Sequence, residues 1–355
     1  MKTIELLSPA RTPEIGIEAI NHGADAVYIG AGKFGARKSA GNSMHEIEKL
    51  IQYAHKFGSK IYITLNTILF DHEIDEAIQI ANDAYNAGAD ALIIQDMGLL
   101  ECNLPPIAIH ASTQTNNISW QKVDFLEKVG FKRVVLAREL NLEEIRIIRK
   151  KTNVELEFFI HGALCVSYSG QCYMGYAINR RSGNRGECSQ PCRMKYNLLD
   201  EKGNILIKDK HLLSLSDLNH SNNLEELMQA GICSFKIEGR LKDMDYVKNI
   251  TAYYRKKLDS IMEKGREFAK SSNGKCKFLF EPDAEKSFHR GKTEYFLHQR
   301  QKSIASPNSP KSTGEFIGTA LRAGKNYFEL ENGKEIHTGD RSEEHTSELQ
   351  SPNTI

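Results

Sequence analysis

The sequence predicts a (β/α)8 barrel, and three observations predict it. Eight short β-branched runs recur along the chain, nearly all separated by amphipathic helical patterns. Strict alternation of strand and helix implies a parallel sheet with right-handed crossovers. Eight such units in roughly 250 residues fit one closed barrel, with a doubly wound open sheet as the alternative.

The units follow in order. "IELLSPA" from Ile4 reads as the first strand and "EIGIEAINHGAD" as a helix ending near Gly23. "AVYIG" (26–30) is the second strand. "IEKLIQYAHKFG" then "KIYITLN" and "EAIQIANDAYNAGAD" then "ALIIQ" repeat the pattern. "PIAIHAS", "RVVLAREL" and "VELEFFIHG" supply strands five to seven. "NNLEELMQAG" then "ICSFKIEG" completes the set, and the helix "MDYVKNITAYYRKKLDSIMEK" closes the barrel.

A barrel keeps its chemistry at the C-terminal ends of its strands. Those ends are polar here. They carry Arg37, Asn66, Gln95, His110, Ser112, Thr113, Gln114, Arg138, His161, Glu238 and Arg240. A ring of Arg, His, Asn and Gln on one rim points to a ligand site.

A long Cys-rich insertion, residues 162–214, follows the seventh strand on that same rim and includes a hairpin, "YNLLDEKGNILI". The barrel is thus expected over 1–270. Residues 271–340 read as a linker and the opening of a small β-barrel-like domain, expected to be cut short. The segment 341–355, with "RSEEHTSELQS", has no core pattern and reads as a translated sequencing adapter.

The formal net charge is +1, so any nucleic-acid surface must be local. The N-terminus lacks an apolar signal-peptide core and no run is long enough to span a bilayer, which points to the cytoplasm and away from a membrane. Four of seven cysteines cluster as C-x6-C-x15-C-x3-C at Cys165, Cys172, Cys188 and Cys192. In a reducing compartment such clusters suggest metal or redox chemistry more than disulfides. Only the second pair has zinc-like spacing. An iron–sulfur cluster, a zinc ion and no metal all remain open on spacing alone. Cys102, Cys233 and Cys276 read as small buried hydrophobes. Arg180, Arg181, Arg185, Arg193 and Lys195 crowd the same loop, suited to a cluster's negative charge, a phosphate backbone or a carboxylate. "HEIEK" at His45 lacks the second histidine of a zinc protease, and there is no G-x-S-x-G elbow and no P-loop.

The segment "ELEFFIHGALCVSYSGQC" resembles the signature of a family labelled collagenase-like or unassigned peptidases. "GADAVYIG", "TLNTIL", "HASTQ", "VLARELNL", "NRGECSQPCR" and "SFKIEGRLKDMDYVKNITAYYR" are similar to one branch of it, the bacterial 23S ribosomal RNA 5-hydroxycytidine synthases. A sister branch hydroxylates a transfer RNA uridine. The resemblance covers residues 4–300. It implies a 4Fe-4S cluster on Cys165, Cys172, Cys188 and Cys192, with 23S rRNA or its precursor as partner and prephenate as co-substrate. Prephenate is a dicarboxylate, which forked arginines suit, so Arg37, Arg138 and Arg240 are its expected holders. His110, His161 and Glu238 are the expected catalytic groups, and Arg180, Arg181, Arg185 and Arg193 the expected RNA contacts. A collagenase-like peptidase competes with this reading but lacks a nucleophile–base pair. A purely RNA-binding module would need no polar barrel mouth.

Overall fold

The computed structural model describes residues 1–35, 41–239, 241–265, 267–300, 303–324 and 327–331. Arg37, Arg240 and the tail from 341 to 355 lie outside the described residues. The first seven strands are β1 (Lys2–Pro9), β2 (Ala26–Gly30), β3 (Lys60–Leu65), β4 (Ala91–Ile94), β5 (Ala108–Ala111), β6 (Arg133–Val135) and β7 (Glu155–Gly162). The insertion holds a hairpin, β8 (Tyr196–Leu199) and β9 (Ile205–Lys210), then β10 (Asp217–Asn219), before β11 (Ser234–Ile237). Strands β1 to β7 pair in parallel in chain order, and β11 pairs in parallel with both β7 and β1. That double pairing closes an eight-stranded barrel and removes the open-sheet alternative.

Helices α1 (Pro13–Asn21), α2 (Met44–His55), α3 (Ile74–Asn86), α4 (Trp120–Lys128) and α5 (Leu142–Lys151) cover the outside, as do α7 (Leu224–Gln229) and α8 (Met244–Lys264); a short α6 (Met174–Asn179) lies in the insertion. Local sequence starts several of them. Ser43 with Glu46 and Asn141 with Glu144 form capping boxes that satisfy orphan N–H groups of α2 and α5. The apolar stripes of these helices pack on outward strand residues such as Leu6, Ile29, Ile63 and Phe158 to form the main core.

The barrel interior is different. Tyr28, Tyr62 and Ile93 fill part of it, but beside them lies a buried ionic network. Arg133 bonds to Glu5, to Glu155 at 2.7 Å and to Glu157 at 3.3 Å. Tyr62 donates to Glu5 at 2.6 Å, and Lys236 donates to Glu157 at 2.7 Å. Burial opposes ionisation of Glu5, but Arg133, Tyr62 and Ser234 outweigh it and hold the carboxyl below its ordinary value.

The boundary expected at residue 270 moves. Strand β12 (Phe268–Lys270) pairs with the start of β1, and β13 (Lys292–Thr293) pairs with β10. Ala284 and Leu297 are buried in the main core, and Tyr295 packs with Phe159 and Leu215. The segment read as linker is therefore anchored to the barrel by its apolar residues up to about Leu297. Beyond it, β14 (Thr319–Ala323) and β15 (Phe328–Glu331) form an exposed hairpin.

Candidate functional site

The C-terminal ends of the strands surround a cleft of about 880 Å³, counting space open to solvent. Its floor is made by inward residues of four strands: Tyr28, Thr64, Phe159 and Lys236. Asn66, Ser112, Thr113 and Gln114 add neutral hydrogen-bonding groups, and Arg138 and Glu238 add charge. The opposite wall is the Cys-rich loop, through Cys165, Tyr168, Ser169, Gly170, Cys172, Gly183, Asn184 and Cys188. The barrel mouth and three of the cysteines thus share one cleft.

Arg138 lies flat on Phe159, 3.8 Å from the ring centre, and donates to the Ala163 carbonyl at 3.0 Å and to Glu238 at 3.3 Å. Its Nε is buried without a protein partner. Lys236 was not among the expected residues. Its ammonium lies 4.4 Å from the ring centre of Tyr28 and is nearly buried, so the floor carries a desolvated cation. Period-two alternation in "SFKIEG" places Ser234, Lys236 and Glu238 on one face, which is the signal that could have found it.

The two histidines expected at the mouth are not among the residues lining the cleft. His110 points inward one layer below Ser112, edge-on to Tyr62 at 4.8 Å, with Nδ1 unpartnered. Burial, then Arg133 and Lys236, push its pKa well down, so it is neutral. His161 turns outward. Lys236 pairs with Phe159 but Ile237 pairs with His161, so β7 carries one extra residue there. The bulge reverses the facing of His161. Its Nδ1 meets the Tyr254 hydroxyl of α8 at 3.1 Å, and burial lowers its pKa to about 3.

Two arginines expected to hold RNA are engaged inside the protein. Arg185 stacks on Phe70 at 4.0 Å and makes two bonds to Glu73, at 2.7 and 2.9 Å. That bonding lowers the Glu73 pKa to about 2. Arg193 donates to Ser214 Oγ at 2.8 Å and to the carbonyls of Leu215 at 2.6 Å and Leu164 at 2.8 Å. Arg185 clamps the Cys-rich loop to the barrel, as does Glu139, which accepts from Ser169 N at 2.6 Å, while Arg193 ties the two ends of the loop together. Gly170 is needed where the loop touches the barrel, because a Cβ there would overlap the Gln114 carbonyl. Arg180 and Arg181 remain exposed.

All seven cysteines are free thiols. Cys165 and Cys172 hydrogen-bond to each other, which raises the Cys165 pKa and makes Cys172 the more acidic of the two. A Cβ on Gly183 would lie 3.7 Å from Cys188 Cβ and 4.0 Å from Cys172 Cβ, so these two flank one glycine. Burial raises the pKa of Cys192, which also feels Cys188 and Cys172. The four thiols therefore neighbour one another, and Cys165, Cys172 and Cys188 line the cleft. Among the described residues no three His, Cys, Asp or Glu side chains form a single-ion site.

Residues 11–306 match Peptidase family U32. The chain belongs to this family. It is 51% identical to the Escherichia coli "23S rRNA 5-hydroxycytidine C2501 synthase" over 95% of this chain and 52% of that protein. It is 32% identical to the E. coli "tRNA hydroxylation protein P", over 94% of this chain and 86% of that one. A Porphyromonas gingivalis "Collagenase" is 29% identical, over 95% of this chain and 85% of that one. The U32 chain described here thus spans about half the length of the hydroxycytidine synthase it matches. No helix among its described residues is long and apolar enough to cross a membrane.

Proposed function

We propose that this U32 chain is the barrel of an RNA hydroxylase that converts a cytidine of 23S ribosomal RNA to 5-hydroxycytidine. The reading rests on one observation above the others: the polar barrel mouth and three neighbouring thiols, Cys165, Cys172 and Cys188, open onto the same cleft, with Cys192 close behind them. The 51% identity to a synthase of that product selects RNA over peptide. Among the described residues no histidine lines the cleft to act as the base of a serine or cysteine peptidase.

Cys165, Cys172, Cys188 and Cys192 would hold a 4Fe-4S cluster, for which the thiols fit in number, kind and mutual proximity. The bound cluster would supply electron transfer beside the substrate. The chain's own groups do the rest. A dicarboxylate co-substrate, prephenate in this reading, would meet Arg138 and Lys236, whose charges are desolvated by Phe159 and Tyr28. Glu238, bonded to Arg138, is the titratable carboxylate at the mouth and the group placed to hold a proton there. Asn66, Ser112 and Gln114 can orient the edge of an unstacked base, which must leave its stack to be reached. The loop would bring a cation to the RNA backbone through Arg180 and Arg181.

The test is complementation of a bacterium lacking its own synthase, with mass spectrometry of its ribosomal RNA. The barrel is supplied both as this chain and joined to a full-length relative's C-terminal half. Restored 5-hydroxycytidine supports the reading; modified transfer RNA or peptide cleavage in its place overturns it. Arg138→Met is expected to lower product formation by about a hundredfold at limiting co-substrate, as loss of a charge-assisted anchor does. His161→Phe should behave differently. It removes the bond to Tyr254 and should cost about 1 kcal/mol of stability. Product formation should stay within about twofold, because a neutral histidine against α8 touches no reacting group. A folded His161→Phe protein without activity would contradict that placement.

A further inference from the structure

The Cys-rich loop leaves three tyrosine rings in water. Tyr168, Tyr173 and Tyr176 are 57%, 64% and 51% exposed, although they fall within nine consecutive residues. Exposed aromatic rings in a group forgo burial, and such groups mark partner surfaces. Tyr168 lines the cleft itself. Tyr173 and Tyr176 are three residues apart at the start of α6, and so share one face of it.

The setting is preorganised and basic. The Arg180 guanidinium lies 5.4 Å over the Tyr176 ring. Asn179 bonds to the Arg181 backbone N–H at 3.2 Å and to Ser189 Oγ at 3.0 Å. Gly175 is buried, and a Cβ there would lie 2.6 Å from the Arg181 carbonyl, so the chain folds back tightly beneath α6. Residues 166–195 hold five Lys or Arg (180, 181, 185, 193 and 195) and one acid, Glu187. Two of the five are used internally, which leaves Arg180, Arg181 and Lys195 at the surface.

We propose that Tyr168, Tyr173 and Tyr176, with Arg180 and Arg181, form a stacking platform for unpaired nucleotides beside the target base. The substrate is then a single-stranded RNA segment laid across α6 with one base directed into the cleft. This rests on the RNA reading above and goes beyond it by assigning the surface and the strandedness. The chemistry favours a nucleic acid over a protein: every base offers a face to a ring, arginine planes stack in the same way, and the backbone phosphates meet the surface cations. The platform reads faces and charge and carries little sequence preference.

The experiment uses the full chain, purified without oxygen, and fluorescence anisotropy. The probe is a labelled pyrimidine-rich RNA of about twelve nucleotides, single-stranded or in a blunt duplex. The single strand should bind at least about tenfold more tightly than the duplex. Tyr173→Leu and Tyr176→Leu should each weaken it by roughly 5- to 100-fold, while Tyr173→Phe and Tyr176→Phe should stay within about twofold, because stacking needs the ring and not the hydroxyl. The leucine variants should leave the salt dependence of binding unchanged, whereas Arg181→Ala should make it shallower by about one phosphate contact. Leucine variants that bind like the parent overturn the platform, as does a duplex that binds as tightly as the single strand. If hydroxycytidine still forms while the leucine variants bind normally, the platform is wrong and the activity stands. If the tyrosines behave as expected but complementation gives no hydroxycytidine, the platform stands and the activity is wrong.

Discussion

Cys188→Ala is expected to bleach the protein purified without oxygen and to abolish hydroxycytidine in complementation. The parent should carry about four irons and four sulfides per chain if the cluster is of the four-thiolate type. Cys165→Ala, Cys172→Ala and Cys192→Ala should do the same, since each thiol neighbours the others across the loop. Cys102→Ala, Cys233→Ala and Cys276→Ala should keep the colour. Cys233 illustrates why: burial raises its pKa to about 11, and its Sγ donates to the Leu156 carbonyl on the barrel, away from the Cys-rich loop. The melting temperature should barely move in the Cys188 variant, because Cys188 lies outside the main core. Colour loss can then be separated from unfolding. A colourless parent holding one zinc per chain would overturn the cluster.

Arg133→Leu is expected to have the largest effect on stability, about 3–5 kcal/mol, because it leaves Glu5 buried without its cation and Glu157 with Lys236 alone. Arg133 is nearly fully buried between them. The sign of the pH dependence follows from Glu5. In the parent its folded pKa is depressed, so its contribution is present above the unfolded carboxylate pKa and fades as pH falls through the folded value. Without Arg133 the same burial should raise the Glu5 pKa, so the folded state gains by binding a proton and the variant should be least stable at high pH. Denaturant melts at pH 8 and pH 5 should therefore show the gap between variant and parent narrowing at pH 5. A gap that widens toward pH 5 would mean that Arg133 is not holding ionised carboxylates.

The internal network is encoded in the strands, yet local pattern does not reveal it. "VELEFFIHG" alternates Glu155 and Glu157 with Leu156 and Phe158, and "RVV" opens with Arg133. Period-two alternation says that such residues share a face, but not whether that face is solvent or the inside of a barrel. Closure decides it, because only the pairing of β11 with both β7 and β1 turns an inner face away from water. Lys236 was missed for the same reason.

The amino-acid sequence alone carried the order of eight strands and five of the helices that cover them, because apolar periodicity is a local property of a few consecutive residues. It likewise determined that four cysteines and an arginine-rich run fall in one insertion, since this needs only proximity along the chain. Tertiary structure alone decided which polar groups meet. The bulge in β7 turned His161 toward Tyr254, and the layering of β5 sank His110 beneath Ser112. Glu73 and Phe70 claimed Arg185, while Ser214 and Leu215 claimed Arg193, leaving Arg180 and Arg181 exposed. The pairings of His161, Arg185 and Arg193 join groups well separated in the chain. Each partner is chosen by how strands stagger and where a loop lands, and a spacing within one segment does not encode that.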